Sequence, residues 1–138
     1  MKLWPLLVAA LALGSTPAAP AAPEMTLAPV LHAAEGWMNE PATAAGLAGK
    51  VVVVDVFTFG CINCRNVTPN LRALYRGASQ DVAIVGVHSP ETPYERDRAN
   101  VRANLRAQGI VWPVALDNDF AIWRAYGIEA WPTQLIFD

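Results

Sequence analysis

A continuous apolar run that leads directly into two cysteines constrains the fold more than any other stretch. Residues 51–57 are apolar except for Asp55, and Gly60, Cys61 and Cys64 follow closely. A run rich in β-branched residues is typical of a strand that is covered on both faces. Gly60 permits a tight backbone turn, and the sequence after it has helical periodicity. The pattern therefore predicts a central strand, a turn and a helix that begins at Cys61.

The position and spacing of the two cysteines indicate a redox pair. Unpaired N–H groups and the helix dipole favour negative charge at a helix N-terminus, so we expect Cys61 to react as a thiolate. Cys64 lies within the same helical turn and is close enough to form a disulfide with Cys61. The chain-entropy stabilisation from so short a ring is only about 2 kcal/mol. A redox pair is therefore favoured over a structural disulfide or a lone metal half-site.

Length and charge exclude several classes of protein. A chain of 138 residues is long enough for one domain. Its formal net charge of −2 gives no support for binding nucleic acid or an anionic membrane surface. The two cysteines form one close pair, so no further thiol is left for another disulfide.

The N-terminus has the pattern of a secretory signal. Lys2 precedes an apolar segment over residues 3–13, and small residues and prolines follow. The apolar segment is too short to span a bilayer comfortably. We predict a signal peptide over residues 1–21 and an Ala/Pro-rich, flexible lead-in over residues 22–36. The protein is then exported, periplasmic or secreted, without stable membrane insertion after cleavage; an uncleaved anchor is the alternative.

Beyond the cysteines, apolar and turn patterns predict alternating strands and helices. They predict a helix kinked at Pro69, a strand over 82–87, a helix from Thr92 to about Gln108, a short strand within 110–116, a helix after 117–119 and a strand over 134–137. Thr92 and Glu95 form a capping box at the start of the second helix. Pro113 interrupts the strand within 110–116, which places that strand at a sheet edge. The alternation predicts an α/β fold.

Several short motifs in this order resemble a known family. They are Trp37-Met38-Asn39, Gly49-Lys50-Val51-Val52, Cys61-Ile62-Asn63-Cys64, Val85-Gly86-Val87-His88, Leu116-Asp117-Asn118-Asp119 and Trp131-Pro132. Together they resemble the thioredoxin-like domains of the DipZ and TlpA type, which are exported thiol–disulfide oxidoreductases. The resemblance covers residues 37–138. It implies a thioredoxin-like fold, with a central mixed β-sheet flanked by helices and an extra helix inserted after the second core strand.

The resemblance also implies catalytic roles for four residues. Cys61 corresponds to the attacking thiol, Cys64 to the resolving thiol, Asp55 to the buried acid and Pro132 to the cis-proline beside the sulfurs. Residue chemistry agrees for Asp55, because a lone carboxylate in a buried strand cannot be charged cheaply. Its pKa should rise, which suits a group that accepts the Cys64 proton. A solvent-facing Asp55 at the strand end is the alternative.

The resemblance has two departures. We expect Gly60, Ile62, Asn63 and Trp131 to contact substrate, but Gly60 stands where many members carry a bulky residue. Surface recognition near Cys61 is therefore expected to differ. The relatives also continue beyond position 138 into a further strand and a closing helix, so the resemblance predicts a domain that lacks both.

The predicted function is reduction of disulfides in other proteins, with the Cys61–Cys64 disulfide as the only redox group and no metal. A membrane-bound electron donor is expected to supply electrons. The direction rests on Ile62 and Asn63, which bring no positive charge to stabilise the Cys61 thiolate. The alternative is a copper metallochaperone that binds through Cys61, Cys64 and His88. His88 follows a strand end, where histidine is more often a loop residue.

Overall fold

A five-stranded sheet forms the centre of the fold. The computed structural model describes residues 25–78 and 80–138, so the predicted signal peptide lies outside the described residues. The elements are α1 (Ala28–Leu31), β1 (Trp37–Met38), α2 (Ala44–Leu47), β2 (Val51–Phe57), α3 (Ile62–Gly77), β3 (Val82–His88), a 3-10 turn (Pro93–Arg96), α4 (Arg98–Gln108), β4 (Val114–Leu116), α5 (Ala121–Ala125) and β5 (Thr133–Phe137).

The strand order is β1-β4-β3-β2-β5, which makes β2 an interior strand as predicted. β2 runs parallel to β3 and antiparallel to β5, so the sheet is mixed. Because β2 and β3 are parallel, their carboxyl ends meet at one edge, where Phe57 is opposite His88. The loop that leads to Cys61 therefore begins beside the end of β3.

Side chains alternate along β2 between two apolar clusters, one on each face of the sheet. Val52, Val54 and Val56 pack in one cluster, whereas Val53 and Phe57 pack in the other, which also contains Cys64. Successive side chains of a strand point to opposite faces. Asp55 therefore shares its face with Val53 and Phe57, which is the face that α3 and Cys64 cover.

β4 is an interior strand, and its predicted position at the sheet edge is wrong. It pairs with β3 on one side and with β1 on the other. Pro113 lies just before the strand, where its carbonyl accepts the N–H of Gly86 at 2.8 Å. A proline outside the paired residues removes no ladder donor, so it does not force β4 to the edge.

The predicted helix from Thr92 to Gln108 is two segments. The 3-10 turn ends before Asp97, which has an extended backbone. Its side-chain Oδ1 caps α4 by accepting the N–H groups of Ala99 and Asn100 at 2.8 and 3.0 Å. Asp97 is thus a second capping residue that begins a new helix. The extra helix after the second core strand is confirmed, since α4 lies between β3 and β4.

The described part of the lead-in is packed, in contrast to the predicted flexible segment. Val30 of α1 is completely buried. The hydroxyl of Tyr126 donates to the carbonyl of Thr26 at 2.9 Å. Residues 25–36 therefore pack against the domain, because the few apolar side chains in this Ala/Pro-rich stretch complete the cluster beside α5.

β5 lies at one end of the strand order. Its Ile136 side chain is 71% exposed. Within residues 25–78 and 80–138, no helix combines the length and the apolar character needed to cross a membrane.

Candidate active site

The two cysteines lie at the N-terminus of α3 and differ in accessibility. Cys61 caps the helix, and its Sγ accepts the N–H of Cys64 at 3.2 Å. Cys61 is half-buried, whereas Cys64 is only 4% exposed. The predicted start of the helix is confirmed. Cys61 is therefore the sulfur that a substrate can reach, and Cys64 lies beneath it.

The surroundings of Cys64 keep it protonated. Burial raises the pKa of the Cys64 thiol, and the hydrogen bond with Cys61 and the charges of Cys61 and Asp55 raise it further. The backbone of Thr58 acts in the opposite direction, with a smaller effect. Cys64 is therefore a thiol at neutral pH. It needs a proton acceptor before it can act as a nucleophile.

Asp55 is a candidate for that acceptor. It is 5% exposed, which excludes the solvent-facing alternative. Burial raises the pKa of Asp55 from 3.8 to about 6, and a 2.6 Å hydrogen bond from Gln134 Nε2 partly opposes this rise. The predicted burial of Asp55 is confirmed. At neutral pH most of Asp55 is ionised, and its charge acts on Cys64.

Trp131 and Pro132 lie on the loop that enters β5. The peptide bond between them is cis, as the resemblance implied. The indole Nε1 of Trp131 donates to the carbonyl of Ser89 at 2.9 Å, and its ring packs 4.5 Å from the ring of Trp123. Trp131 and Cys61 both pack against the same apolar cluster. The fold thus brings this distant loop to the cluster that carries the cysteines.

The remaining predicted substrate contacts surround Cys61 on the surface. Gly60, Ile62 and Asn63 are all exposed, and the apolar side chain of Ile62 is 64% exposed. Exposed apolar surface beside a reactive thiol is suited to contact with another chain.

Sequence reasoning missed the buried side chain of Glu95. Only 4% of this residue is exposed, and a Cβ added to Gly60 would overlap Glu95 Oε1. The capping box with Thr92 was recognised, but it indicates only that the Glu95 carboxylate accepts a nearby N–H. Contact with Gly60 depends on how the 3-10 turn packs against the loop before α3.

His88 is the last residue of β3 and is completely buried, so its placement in a loop is wrong. Its ring stacks on Phe59 with centroids 5.4 Å apart. Burial lowers the pKa of His88 from 6.5 to about 4, and the charge of Glu95 only partly opposes this effect. His88 is therefore neutral at physiological pH.

The geometry gives no support to the copper alternative. Within residues 25–78 and 80–138, no group of three or more His, Cys, Asp or Glu side chains is arranged to hold a metal ion. Cys61, Cys64 and His88 therefore do not form the three-ligand set that this alternative requires.

Comparison with known proteins matches residues 49–138 to the family model described as thioredoxin-like. The chain belongs to the thioredoxin-like family. The matched region contains every predicted site residue, from Asp55 to Pro132. The assignment agrees with the mixed five-stranded sheet and flanking helices.

Individual relatives of this thioredoxin-like chain agree with the family assignment. Protein DipZ of Mycobacterium tuberculosis is 35% identical over 116 residues, which cover 80% of this chain and 17% of DipZ. The chain thus spans about a sixth of the length of that relative. The solution structure of an oxidised thioredoxin-like protein superposes with a TM-score of 0.73 at 22% identity, covering 80% of this chain and 75% of that one. A thiol–disulfide isomerase from Corynebacterium glutamicum gives a TM-score of 0.66 at 26% identity, covering 75% and 73%.

Proposed function

We propose that this domain is a thiol–disulfide oxidoreductase that reduces disulfides in other proteins. The observation that carries the proposal is the difference between its two cysteines. Cys61 is accessible at a helix N-terminus, whereas Cys64 is buried within hydrogen-bonding distance of it. An accessible thiol can attack a substrate, and a buried neighbour can resolve the product without competing for that substrate.

The proposed reaction has two steps. The Cys61 thiolate attacks one sulfur of a substrate disulfide, forms a mixed disulfide and releases the other substrate sulfur as a thiolate. Cys64 then loses its proton to Asp55 and attacks Cys61 Sγ, which forms the Cys61–Cys64 disulfide and releases the second substrate thiolate. Two electrons pass from the cysteine pair to the substrate, and the two substrate thiolates take up protons.

The exposed residues around Cys61 are proposed to contact the substrate protein. Gly60, Ile62, Asn63 and Trp131 fit this role because they surround Cys61 or pack against the same cluster. No cofactor other than the Cys61–Cys64 disulfide enters the proposed reaction. Pro132, next to Trp131, is proposed to lie beside the reacting sulfurs.

Export and electron supply complete the proposal. The secretory pattern of residues 1–21 supports a periplasmic or secreted location.

An exported reductant is separated from the cytoplasmic reductants, so we propose a membrane-bound donor that returns two electrons to Cys61–Cys64 after each turnover. The location can be tested by fusing residues 1–36 to a reporter that is active only after export. Retention of the inactive fusion in the cytoplasm would contradict the proposed location.

The order of attack can be tested by trapping. Cys64→Ser should accumulate mixed disulfides with protein substrates, because nothing resolves them, whereas Cys61→Ser should trap none. Non-reducing electrophoresis after incubation with a disulfide-containing protein gives the result. The double variant is the matched control. Equal trapping by the two single variants would overturn the assigned roles, and absence of trapping by both would overturn the proposed function.

A further inference from the structure

Glu95 is a buried acid that the proposed reaction does not use. It lies in the 3-10 turn and is 4% exposed. Its Oε2 accepts two backbone N–H groups, from Glu91 at 2.6 Å and from Thr92 at 2.9 Å. A carboxylate that is buried is costly unless it is hydrogen-bonded. These two bonds hold the Glu95 carboxylate in one position.

That position is directly against Gly60. A Cβ on Gly60 would overlap Glu95 Oε1. No left-handed backbone angle occurs at Gly60, so its conformation is open to any residue. A side chain at Gly60 is therefore opposed by the carboxylate, which it would have to displace, and not by the turn itself.

The contact brings a negative charge close to the start of α3. Adjacent Cα atoms are about 3.8 Å apart, and Cys61 follows Gly60 directly. The N-terminus of α3 favours a thiolate on Cys61, whereas a nearby buried carboxylate of the same sign disfavours it. The two influences oppose each other at one residue.

Neither His88 nor Arg96 cancels this charge. His88, which faces Glu95 from β3, is neutral at physiological pH because burial lowers its pKa to about 4. Arg96, the next residue, points elsewhere, since its Nη1 donates to the carbonyl of Asn118 at 2.7 Å and its guanidinium lies 5.9 Å from the Phe120 ring centroid.

We propose that Glu95, packed against Gly60, is a positioning residue that disfavours the Cys61 thiolate and thereby makes the cysteine pair a stronger reductant. The inference rests on the proposed function. A pair whose reduced, thiolate form is stabilised is an oxidant, so an acid that destabilises the thiolate shifts the pair toward giving up electrons. Glu95 acts through Cys61 and need not touch the substrate.

The test compares Glu95→Gln with Glu91→Gln, which removes the same charge from an exposed residue of the same segment. The equilibrium of each full-length variant with reduced and oxidised glutathione gives the potential of the pair. Glu95→Gln should shift this equilibrium about tenfold toward the reduced pair, which corresponds to about 30 mV. Glu91→Gln should shift it less than twofold, because solvent screens an exposed charge.

A second readout is the ultraviolet absorbance of the thiolate as a function of pH, measured in a Cys64→Ser background. Glu95→Gln should increase the thiolate fraction of Cys61 at neutral pH, in the same direction as the shift of the equilibrium. An unchanged thiolate fraction and equilibrium, or a shift toward the oxidised pair, would overturn the role of Glu95. These readouts need no protein substrate, so they test the role of Glu95 separately from the proposed function. The role of Glu95 can be overturned while trapping by Cys64→Ser supports the proposed function. Likewise, a failure of trapping can overturn the proposed function while Glu95 is shown to act on Cys61.

Gly60→Ala provides an independent route to the same result if Glu95→Gln does not fold. The added methyl group would displace the Glu95 carboxylate from Gly60 without removing its charge. It should therefore increase the thiolate fraction of Cys61 in the same direction. In a Glu95→Ala background the methyl group has room, so Gly60→Ala should then leave the thiolate fraction unchanged. Equal effects of Gly60→Ala in both backgrounds would contradict the contact.

Discussion

Two buried acids lie near the cysteine pair, Asp55 on β2 and Glu95 in the 3-10 turn, and they are held in different ways. Asp55 accepts a hydrogen bond from the side chain of Gln134, which belongs to the edge strand β5. Glu95 accepts two backbone N–H groups from its own turn. The partner of Asp55 is a single neutral side chain, whereas the partners of Glu95 are fixed parts of the main chain.

The difference suits the two acids to different tasks. Burial raises the pKa of Asp55 to about 6, so this carboxylate gains and loses a proton near physiological pH. Proton transfer is most effective when the pKa of the group lies near the working pH. Glu95, anchored as an acceptor against Gly60, supplies a fixed charge instead. We therefore propose that the same functional group serves proton transfer in one region and electrostatic control in the other.

The largest expected effect is on the rate of resolution in Asp55→Asn. Loss of the proton acceptor should slow the attack of Cys64 on the mixed disulfide about a hundredfold near neutral pH. The inflection near pH 6 should also disappear from the rate profile, because the group that titrates there is gone. Rapid mixing with a mixed disulfide formed in advance measures this step.

Glu95→Gln is the matched comparison for that experiment. It should change the equilibrium of the cysteine pair but keep the inflection near pH 6, since Asp55 is intact. An unchanged rate and profile in Asp55→Asn would show that Asp55 takes no part in proton transfer.

The next effect is on stability as a function of pH. The pKa of Asp55 is higher in the folded protein, at about 6, than its ordinary value of 3.8. Between these values the native state binds more protons than the unfolded state, so the contribution of Asp55 to stability is complete below pH 3.8 and is lost as pH rises through about 6. Asp55→Asn should therefore be more stable than the natural chain at pH 7, by roughly 3 kcal/mol.

Denaturant unfolding at pH 4 and pH 7 measures this difference. The advantage of Asp55→Asn should shrink toward pH 4, where the native carboxyl is already neutral. Asp81→Asn, at an exposed position, is the control and should show no such trend. A difference that does not depend on pH would mean that the pKa of Asp55 is the same in the folded and the unfolded protein.

The smallest expected effect concerns Gln134. Gln134→Leu removes the hydrogen bond that partly lowers the pKa of Asp55, so this pKa should rise above about 6. We expect the inflection of the resolution rate to move upward by roughly one pH unit. The carboxyl carbon shift of Asp55 in an NMR titration reports the change directly. Gln80→Leu, at an exposed turn position, should leave the titration in place.

Local pattern was sufficient for much of the fold. The apolar run of β2 and the turn before Cys61 predicted the strand and the start of α3, because side-chain alternation and helix capping depend on neighbouring residues. Burial of Asp55 followed from the same run. The cis bond before Pro132 came only from the family resemblance, since no local property distinguishes it.

The errors share another cause. Asp97 caps a second helix within the predicted one, β1 pairs with β4 on the side predicted to be an edge, and Val30 packs in an apolar cluster although its segment was predicted to be flexible. Each outcome depends on segments that are distant in sequence or on competition between two capping residues. Pattern reasoning over a short window does not include those contacts.

The sequence by itself therefore determined the family, the strand that ends before Cys61 and the close pair of cysteines at the start of α3, because these rest on adjacent residues and on spacing. Only the tertiary structure decided that Gly60 adjoins Glu95, that His88 is buried and neutral, and that Gln134 is bonded to Asp55. Each of these three outcomes depends on residues that are far apart in the chain. Packing of the 3-10 turn, β3 and β5 around the ends of β2 brings them together, and through them sets the charge around the cysteines.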